Sequence, residues 1–276
     1  RRRSNMDDKL GGTFDGIARI HVTSDAAGIQ VRTAPDGAAV EVELLDRRGL
    51  PLADEHLELM QQGDLLDVNV RTVRDGRWRR GRVLDARLRI TAPTGVSLDL
   101  HSDAGSVKVD GRDATVKVAA AAGAVLLDRI NGAVDVTTNA GAIKVLDSHG
   151  DAKLRSDAGA IRIERQHAGT VDVKTSAGAI DASELHVDHM QASTEVGVAR
   201  LRFERAPTSV DARCTVGAVE VALPRDRYRI DSDTGLFGRA VVEGLETDPD
   251  ATRTVHVAAT GMGAVKVVAA AAPVPS

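Results

Sequence analysis

A short glycine-centred phrase recurs through the middle of the chain, and its spacing limits what the chain can fold into. The phrase reads D-A-G-S-V-K-V, N-A-G-A-I-K-V and D-A-G-A-I-R-I at three of its positions. Its glycines are separated by 18, 18, 18, 19, 19 and 20 residues: Gly105, Gly123, Gly141, Gly159, Gly178, Gly197 and Gly217. A repeat of this length is typical of architectures in which one structural unit is stacked many times.

A second, weaker half-repeat lies between these phrases, for example G-A-V-D-V from Gly132 and G-T-V-D-V from Gly169. Each turn signal is followed by alternating apolar and polar residues, which predicts a strand, and the frequent glycines exclude long helices. We therefore predict an all-β fold. The predicted architecture is a single elongated β-solenoid of about 18–20-residue coils, with two short parallel strands per coil and an irregular β cap at the N-terminus.

The alternation also predicts which side chains face the core. The inward residues are Val107, Val109, Val116, Val118, Val125, Leu127, Val134, Val136, Ile143, Val145, Ile161, Ile163, Val171, Val173, Val219 and Val221. The residues between them should form two outer ladders. One contains Lys117, Asp135, Lys153, Asp172, Gln191 and Asp211, and the other contains Lys108, Leu126, Lys144, Arg162, Asp181, Arg200 and Glu220. Because the charge sign alternates in the first ladder, we expect it to stabilise neighbouring strands modestly.

The repeat weakens towards both ends, which suggests five segments. They are a flexible arm (1–12), N-terminal irregular β coils or cap (13–95), regular repeats (96–224), C-terminal irregular coils (225–268) and a disordered tail (269–276). Strands are predicted at Ile17–Val22, Ile29–Arg32, Val40–Leu45, Leu65–Val70 and Ala86–Thr91, whereas Leu52–Gln62 fits a helical turn or a strand. A final copy of the repeat at Val265–Val267 predicts an exposed strand edge near the C-terminus.

Composition supports a thin core without crosslinks. The aromatic residues are few: Phe14, Trp78, Phe203, Tyr228 and Phe237. Valine, isoleucine, leucine and alanine must therefore fill the interior. The one cysteine, Cys214, cannot form an intramolecular disulfide, and it alternates in phase with Val210 and Ala212, which predicts a buried thiol. The net charge of −4 does not by itself indicate a nucleic-acid partner.

One segment is a candidate interaction site. Within 74–82 the chain reads R-D-G-R-W-R-R-G-R, with these residues as the candidates: Arg74, Arg77, Trp78, Arg79, Arg80 and Arg82. Arginines beside an aromatic ring can bind phosphate, an anionic polymer or a membrane surface. The alternative is a solvated hairpin turn at Asp75–Gly76, with the tryptophan packed over the cap.

We predict no catalytic residue, no cofactor and no metal site. The strongest metal candidate, Glu184 to His189, places His186 and His189 on opposite faces of a strand. Neither a nucleophile elbow nor a phosphate-binding glycine loop occurs in the sequence.

The sequence contains no apolar stretch long enough for a membrane span and no apolar segment typical of a signal peptide. If Met6 is the native start, we expect a cytoplasmic protein. If a segment precedes Arg1, we expect the cell envelope.

The segment T-A-P-T-G-V-S-L-D-L-H-S-D-A-G-S-V-K-V (91–109), the later G-A-I-x-V runs and the closing G-M-G-A-V-K-V resemble the bacterial DUF4097-type family of candidate adhesins. The resemblance covers roughly residues 15–268. It implies a repetitive β architecture without a shared catalytic motif, often in cell-envelope settings.

Two functions remain open at this stage. The first is a non-catalytic structural or interaction protein that presents flat faces for self-assembly or for protein partners. The second is an adhesin-like module that binds an anionic surface or glycan through the Arg74–Arg82 loop.

Overall fold

The computed structural model describes residues 11–46, 49–50, 57–71, 86–235 and 238–270. The chain divides into two compact units, Arg1–Gly123 and Ala124–Ser276. Strands are the only regular secondary structure among the described residues. Nowhere in these ranges is there a helix with the length and apolarity needed to cross a membrane.

Ten strands belong to the first unit. They are β1 (Gly11–Phe14), β2 (Arg19–Ser24), β3 (Gly28–Ala34), β4 (Val40–Leu45), β5 (Leu57–Gln62), β6 (Leu65–Val70), β7 (Arg87–Pro93), β8 (Ser97–Ala104), β9 (Val107–Arg112) and β10 (Val116–Ala122). Strand β2 lies between β6 and β8, and β3 lies between β7 and β9, all in parallel. On its other side, β6 pairs antiparallel with β5. Likewise, β7 pairs antiparallel with β4. The predicted segment Leu52–Gln62, which fitted either a helical turn or a strand, thus ends in a strand, β5.

The second unit contains the other ten strands. They are β11 (Val125–Asn131), β12 (Val134–Ala140), β13 (Ile143–His149), β14 (Ala152–Ala158), β15 (Ile161–Phe203), β16 (Ser209–Leu223), β17 (Arg229–Thr234), β18 (Arg239–Glu243), β19 (Thr254–Ala259) and β20 (Gly263–Ala269). Parallel pairing places Val125 beside Ile143 and Ile143 beside Ile161, so neighbours are one repeat apart in sequence.

The predicted fold class needs a correction. The all-β class is confirmed, but the single elongated β-solenoid with two short parallel strands per coil is wrong. In the first unit parallel pairs, such as β2 with β6, lie beside antiparallel pairs, such as β5 with β6, so the sheet is mixed. Strand β15 alone spans 43 residues. Its ladder with β16 continues from His189 to Arg202, past the turn at Gly197 that was predicted to separate two strands.

The predicted inward and outward faces are confirmed. All sixteen residues that the alternation placed inside are buried, and the core consists mainly of valine, isoleucine, leucine and alanine. On the outer face of the second unit, Asp135 lies beside Lys153, which lies beside Asp172. Arg155 also forms an ion pair with Asp172 at 2.9 Å. Alternating charges therefore join adjacent strands, as the first ladder predicted.

The repeated glycine is required by the close approach of successive turns. In the second unit Gly178 has φ +153°, and a Cβ added to it would lie 2.1 Å from the carbonyl oxygen of Gly159. Three residues before Gly178 and Gly197, a threonine hydroxyl donates to the carbonyl oxygen of the preceding repeat glycine: Thr175 to Gly159 and Thr194 to Gly178. Cys214 takes the equivalent place, with its sulfur 3.5 Å from the Gly197 oxygen. Its predicted burial is confirmed, and burial raises the pKa of its thiol.

In the second unit a second kind of corner lacks glycine. Arg129, Asp147, Arg165 and Glu184 all have φ between +49° and +54°. These left-handed residues recur at the repeat spacing, and each precedes a buried side chain: Ile130, Ser148, Gln166 or Leu185. At three of these corners, Arg129, Arg165 and Glu184, the residue type is one that normally avoids this conformation.

A buried arginine fixes a corner of the first unit. Arg112 is 1% exposed, and its guanidinium donates hydrogen bonds to the carbonyl oxygens of Pro93, Ala92 and Arg32 at 2.6–3.0 Å. Burial lowers the pKa of this side chain to about 10, so it remains charged at neutral pH.

Candidate functional site

The C-terminal edge of the second unit is the most distinctive surface of the described chain. Strand β19 lies between β16 and β17, and β20 lies between β16 and β18. Strands β19 and β20 follow β17 and β18 in sequence, yet they lie between those strands and β16 in the sheet. The predicted edge at Val265–Val267 is wrong, because β20 pairs on both sides, and the outer strands are β17 and β18.

The sequences of these strands explain their order. Strand β20 contributes Val265 and Val267 to the core, where they are at most 1% exposed. Strand β18 reads R-A-V-V-E, and its core-facing Val242 lies beside Val267 but remains 41% exposed. The more apolar strand is thus fully covered, and the more polar strand lies outermost. Among the described residues, no further strand covers the core-facing surface of β18.

A loop partly covers the other outer strand. The backbone N–H of Ile230, in β17, donates a hydrogen bond to Thr247 Oγ1 at 3.0 Å. The loop is held by Arg227, which pairs with Asp248, and by Arg253, which pairs with Asp226. The hydrogen bond from Arg227 holds the pKa of Asp248 below its usual value. Strand β18 is therefore the less protected part of the edge.

A buried tyrosine anchors the start of this region. Tyr228 is fully buried, and its hydroxyl donates to the carbonyl oxygen of Pro224 at 3.0 Å. Burial raises the pKa of this hydroxyl to about 12, so it stays a hydrogen-bond donor at neutral pH.

A groove lies near the ends of β15, β16 and β20. Its volume is about 910 Å³, and its lining combines an apolar floor with charged groups: Phe203, Ala222 and Val268 with Arg202, Arg225, Glu204 and Glu220. Two cations and two carboxylates balance one another, so the groove does not select a ligand of one sign. Neither arginine has an ion-pair partner within the described residues.

Three stacked histidines lead towards this groove. The rings of His149 and His167 lie 4.6 Å apart, those of His167 and His186 lie 4.4 Å apart, and both pairs are within 11° of parallel. Burial, reinforced by the two neighbouring rings, lowers the pKa of His167. Sequence reasoning missed this stack, although the spacings of 18 and 19 residues match the glycine repeat.

The residues that formed the strongest metal candidate are not brought together. Nε2 of His186 lies 3.8 Å from Oε2 of Glu204. Nδ1 of His189 forms a hydrogen bond of 2.8 Å with Oγ of Ser209, and Asp188 forms an ion pair with Arg205. Glu184 instead lies 4.0 Å from Arg165.

The candidate interaction site lies outside the described residues. It consists of Arg74, Arg77, Trp78, Arg79, Arg80 and Arg82.

Comparison with known proteins gave distant structural likenesses. No family model and no curated protein matches the chain, so the DUF4097-type resemblance stays a prediction. The chain is similar to the crystal structure of a candidate adhesin from Bacteroides fragilis NCTC 9343, with 14% identity, a TM-score of 0.47 and coverage of 93% of this chain and 94% of that one. It is also similar to a candidate cell adhesion protein from Clostridium sporogenes ATCC 15579, with 10% identity, a TM-score of 0.29 and coverage of 94% and 99%.

Proposed function

We propose that the protein is a non-catalytic interaction protein that associates with a second copy of itself through strand β18. The supporting observation is the edge position of R-A-V-V-E, a sequence whose charges complement a reversed copy of the same sequence. An edge strand presents unpaired backbone groups, which another strand can bind. The proposal narrows the predicted interaction surface from the flat outer faces to one edge.

The charges favour an antiparallel contact between identical strands. If two copies of β18 pair around Val241, Arg239 of each copy lies opposite Glu243 of the other. Directly opposed charges of unlike sign stabilise a strand pair by about 0.2–1 kcal/mol each. Such a contact uses the same patch on both copies and closes as a two-fold dimer.

The same contact would cover apolar surface that the chain leaves open. Ala240 and Val242 point to the face opposite Arg239 and Glu243 and lie beside Val265 and Val267 of the core. In the antiparallel arrangement Ala240 of one copy lies opposite Val242 of the other. Backbone pairing, two ion pairs and burial of these side chains would then act together.

Charge reversal tests the proposal. We expect the wild-type mass to rise with concentration in light scattering across a hundredfold dilution series. Arg239→Glu places two carboxylates opposite each other at both ends of the contact, so association should weaken at least about tenfold. Arg202→Glu makes the same change at an exposed position in the groove and should leave the association unchanged.

Two results would contradict this assignment. A monomeric mass for the wild type at every concentration would exclude self-association. Loss of association in Arg202→Glu with retention in Arg239→Glu would assign the contact to the groove. Circular dichroism of both variants checks that each keeps the wild-type β structure.

The second candidate function is binding of an anionic surface or glycan by the Arg74–Arg82 loop. The concentration of five arginines around one tryptophan in the sequence favours it. Retention on heparin that falls with salt, and that is lost when these arginines are replaced by serine, would support it. Retention that is unaffected by the replacements would exclude it.

A further inference from the structure

We propose that His21, Asp99 and His101, in the first unit, bind a divalent transition-metal ion such as Zn²⁺. One ligand atom from each residue can be chosen so that all three atoms lie within 4.8 Å of one another. Nδ1 of His21 lies 3.6 Å from Asp99 Oδ2, and Nδ1 of His101 lies 3.5 Å from Asp99 Oδ1. Two imidazoles and one carboxylate form a ligand set typical of zinc and other first-row metals.

The sheet places these residues together. In the parallel pair of β2 and β8, His21 lies directly beside Asp99. His101 follows Asp99 by two residues, so both side chains leave the strand on the same face. All three groups are therefore carried by paired strands and need no loop to fold around the ion.

The distances fit coordination of one ion. Ligands bound about 2.0–2.1 Å from a tetrahedral Zn²⁺ are separated by roughly 3.3 Å. Each histidine nitrogen lies 3.5–3.6 Å from one oxygen of Asp99, a different oxygen in each case, and one ligand atom from each of the three residues lies within 4.8 Å of the others. The side chains are 38–49% exposed, so small rotations can close the difference and water can complete the coordination.

The ring orientation distinguishes this cluster from the histidine stack. The planes of His21 and His101 are inclined by 56°, with ring centres 5.2 Å apart. Their in-plane nitrogen lone pairs can therefore converge on one point. In the stack of His149, His167 and His186 the rings are nearly parallel, so their lone pairs run side by side.

Neighbouring charges surround the cluster on the same face. Asp67 lies beside His21 on β6, and Lys117 lies beside Asp99 on β10. The carboxylate of Asp67 favours a cation at this surface. Lys117 carries a positive charge on the strand next to Asp99, and this charge opposes binding of a cation.

Isothermal titration calorimetry of the untagged protein with ZnCl₂ tests the proposal. We expect one ion per chain, with affinity reduced at least about tenfold in His21→Gln and in His101→Gln, since each loses a ligand. His149→Gln removes an exposed imidazole from the parallel stack and should leave the affinity unchanged. These strand positions face solvent, and circular dichroism of each variant establishes that it is folded.

A second readout follows the coordination sphere itself. Co²⁺ added to the wild type should give visible absorption bands of a nitrogen- and oxygen-ligated ion, and both histidine variants should lose them. Absence of Zn²⁺ binding by the wild type would overturn the proposal. Binding that persists at full strength in both His21→Gln and His101→Gln would overturn it as well.

Discussion

Gly178→Ala should be among the most destabilising single substitutions in the chain, lowering the free energy of unfolding by at least about 3 kcal/mol. The added methyl group would lie 2.1 Å from the Gly159 carbonyl oxygen and 2.7 Å from its carbon, which are both backbone atoms. The backbone at φ +153° also disfavours any residue with a Cβ. Neither problem can be relieved without separating two turns of the sheet.

Gly169→Ala is the matched control, because it adds the same methyl group in the same unit. At that position the nearest contact is the side chain of Asp151 at 3.4 Å, and φ is not in the left-handed region. Urea denaturation of both variants should therefore separate them by several kcal/mol. Similar losses in the two variants would show that close approach of the glycine turns does not govern stability.

Ile161→Asp should lower the free energy of unfolding by about 4 kcal/mol or more, because it places a carboxylate among buried apolar side chains. Ile161 is fully buried and lies beside Ile143 in the sheet. Asp135→Asn removes a charge from the outer ladder, where Asp135 lies beside Lys153, and should cost less than about 0.5 kcal/mol. Denaturant midpoints measure both, and equal losses would contradict the assigned faces.

Much of the interior could be predicted because the repeat fixes both face and neighbour. Ile143 and Ile161 are one repeat apart in sequence, so the same spacing that identified them also pairs them. Turns without glycine could not be predicted in this way. The left-handed conformation of Arg129 and Arg165 is imposed by the surrounding sheet, and neither residue type favours it.

The ends of the chain departed from the sequence pattern for a different reason. The closing V-K-V copy suggested an edge, but burial of Val265 and Val267 is more favourable than burial of β18, so β20 lies inside. The proposed metal cluster was equally inaccessible from the sequence. His21 and Asp99 are neighbours because β8 pairs in parallel with β2, although five strands, β3 to β7, lie between them in sequence.

The most direct test of self-association through β18 is a mixing experiment with two charge-reversal variants. Arg239→Glu gives an edge with two acidic groups, and Glu243→Arg gives an edge with two basic groups. Each variant alone should sediment as a monomer at a concentration where the wild type is a dimer. Lys266, which lies 3.4 Å from Glu243 in the same chain, should add to the repulsion within Glu243→Arg.

An equimolar mixture of the two variants should form a heterodimer, because every glutamate then lies opposite an arginine of the other chain. Sedimentation velocity with one variant fluorescently labelled, at low salt, detects it directly. The account predicts a labelled species of dimer mass in the mixture and labelled monomer in the absence of the second variant. Labelled monomer in both samples, while the wild type dimerises, would contradict the β18 contact.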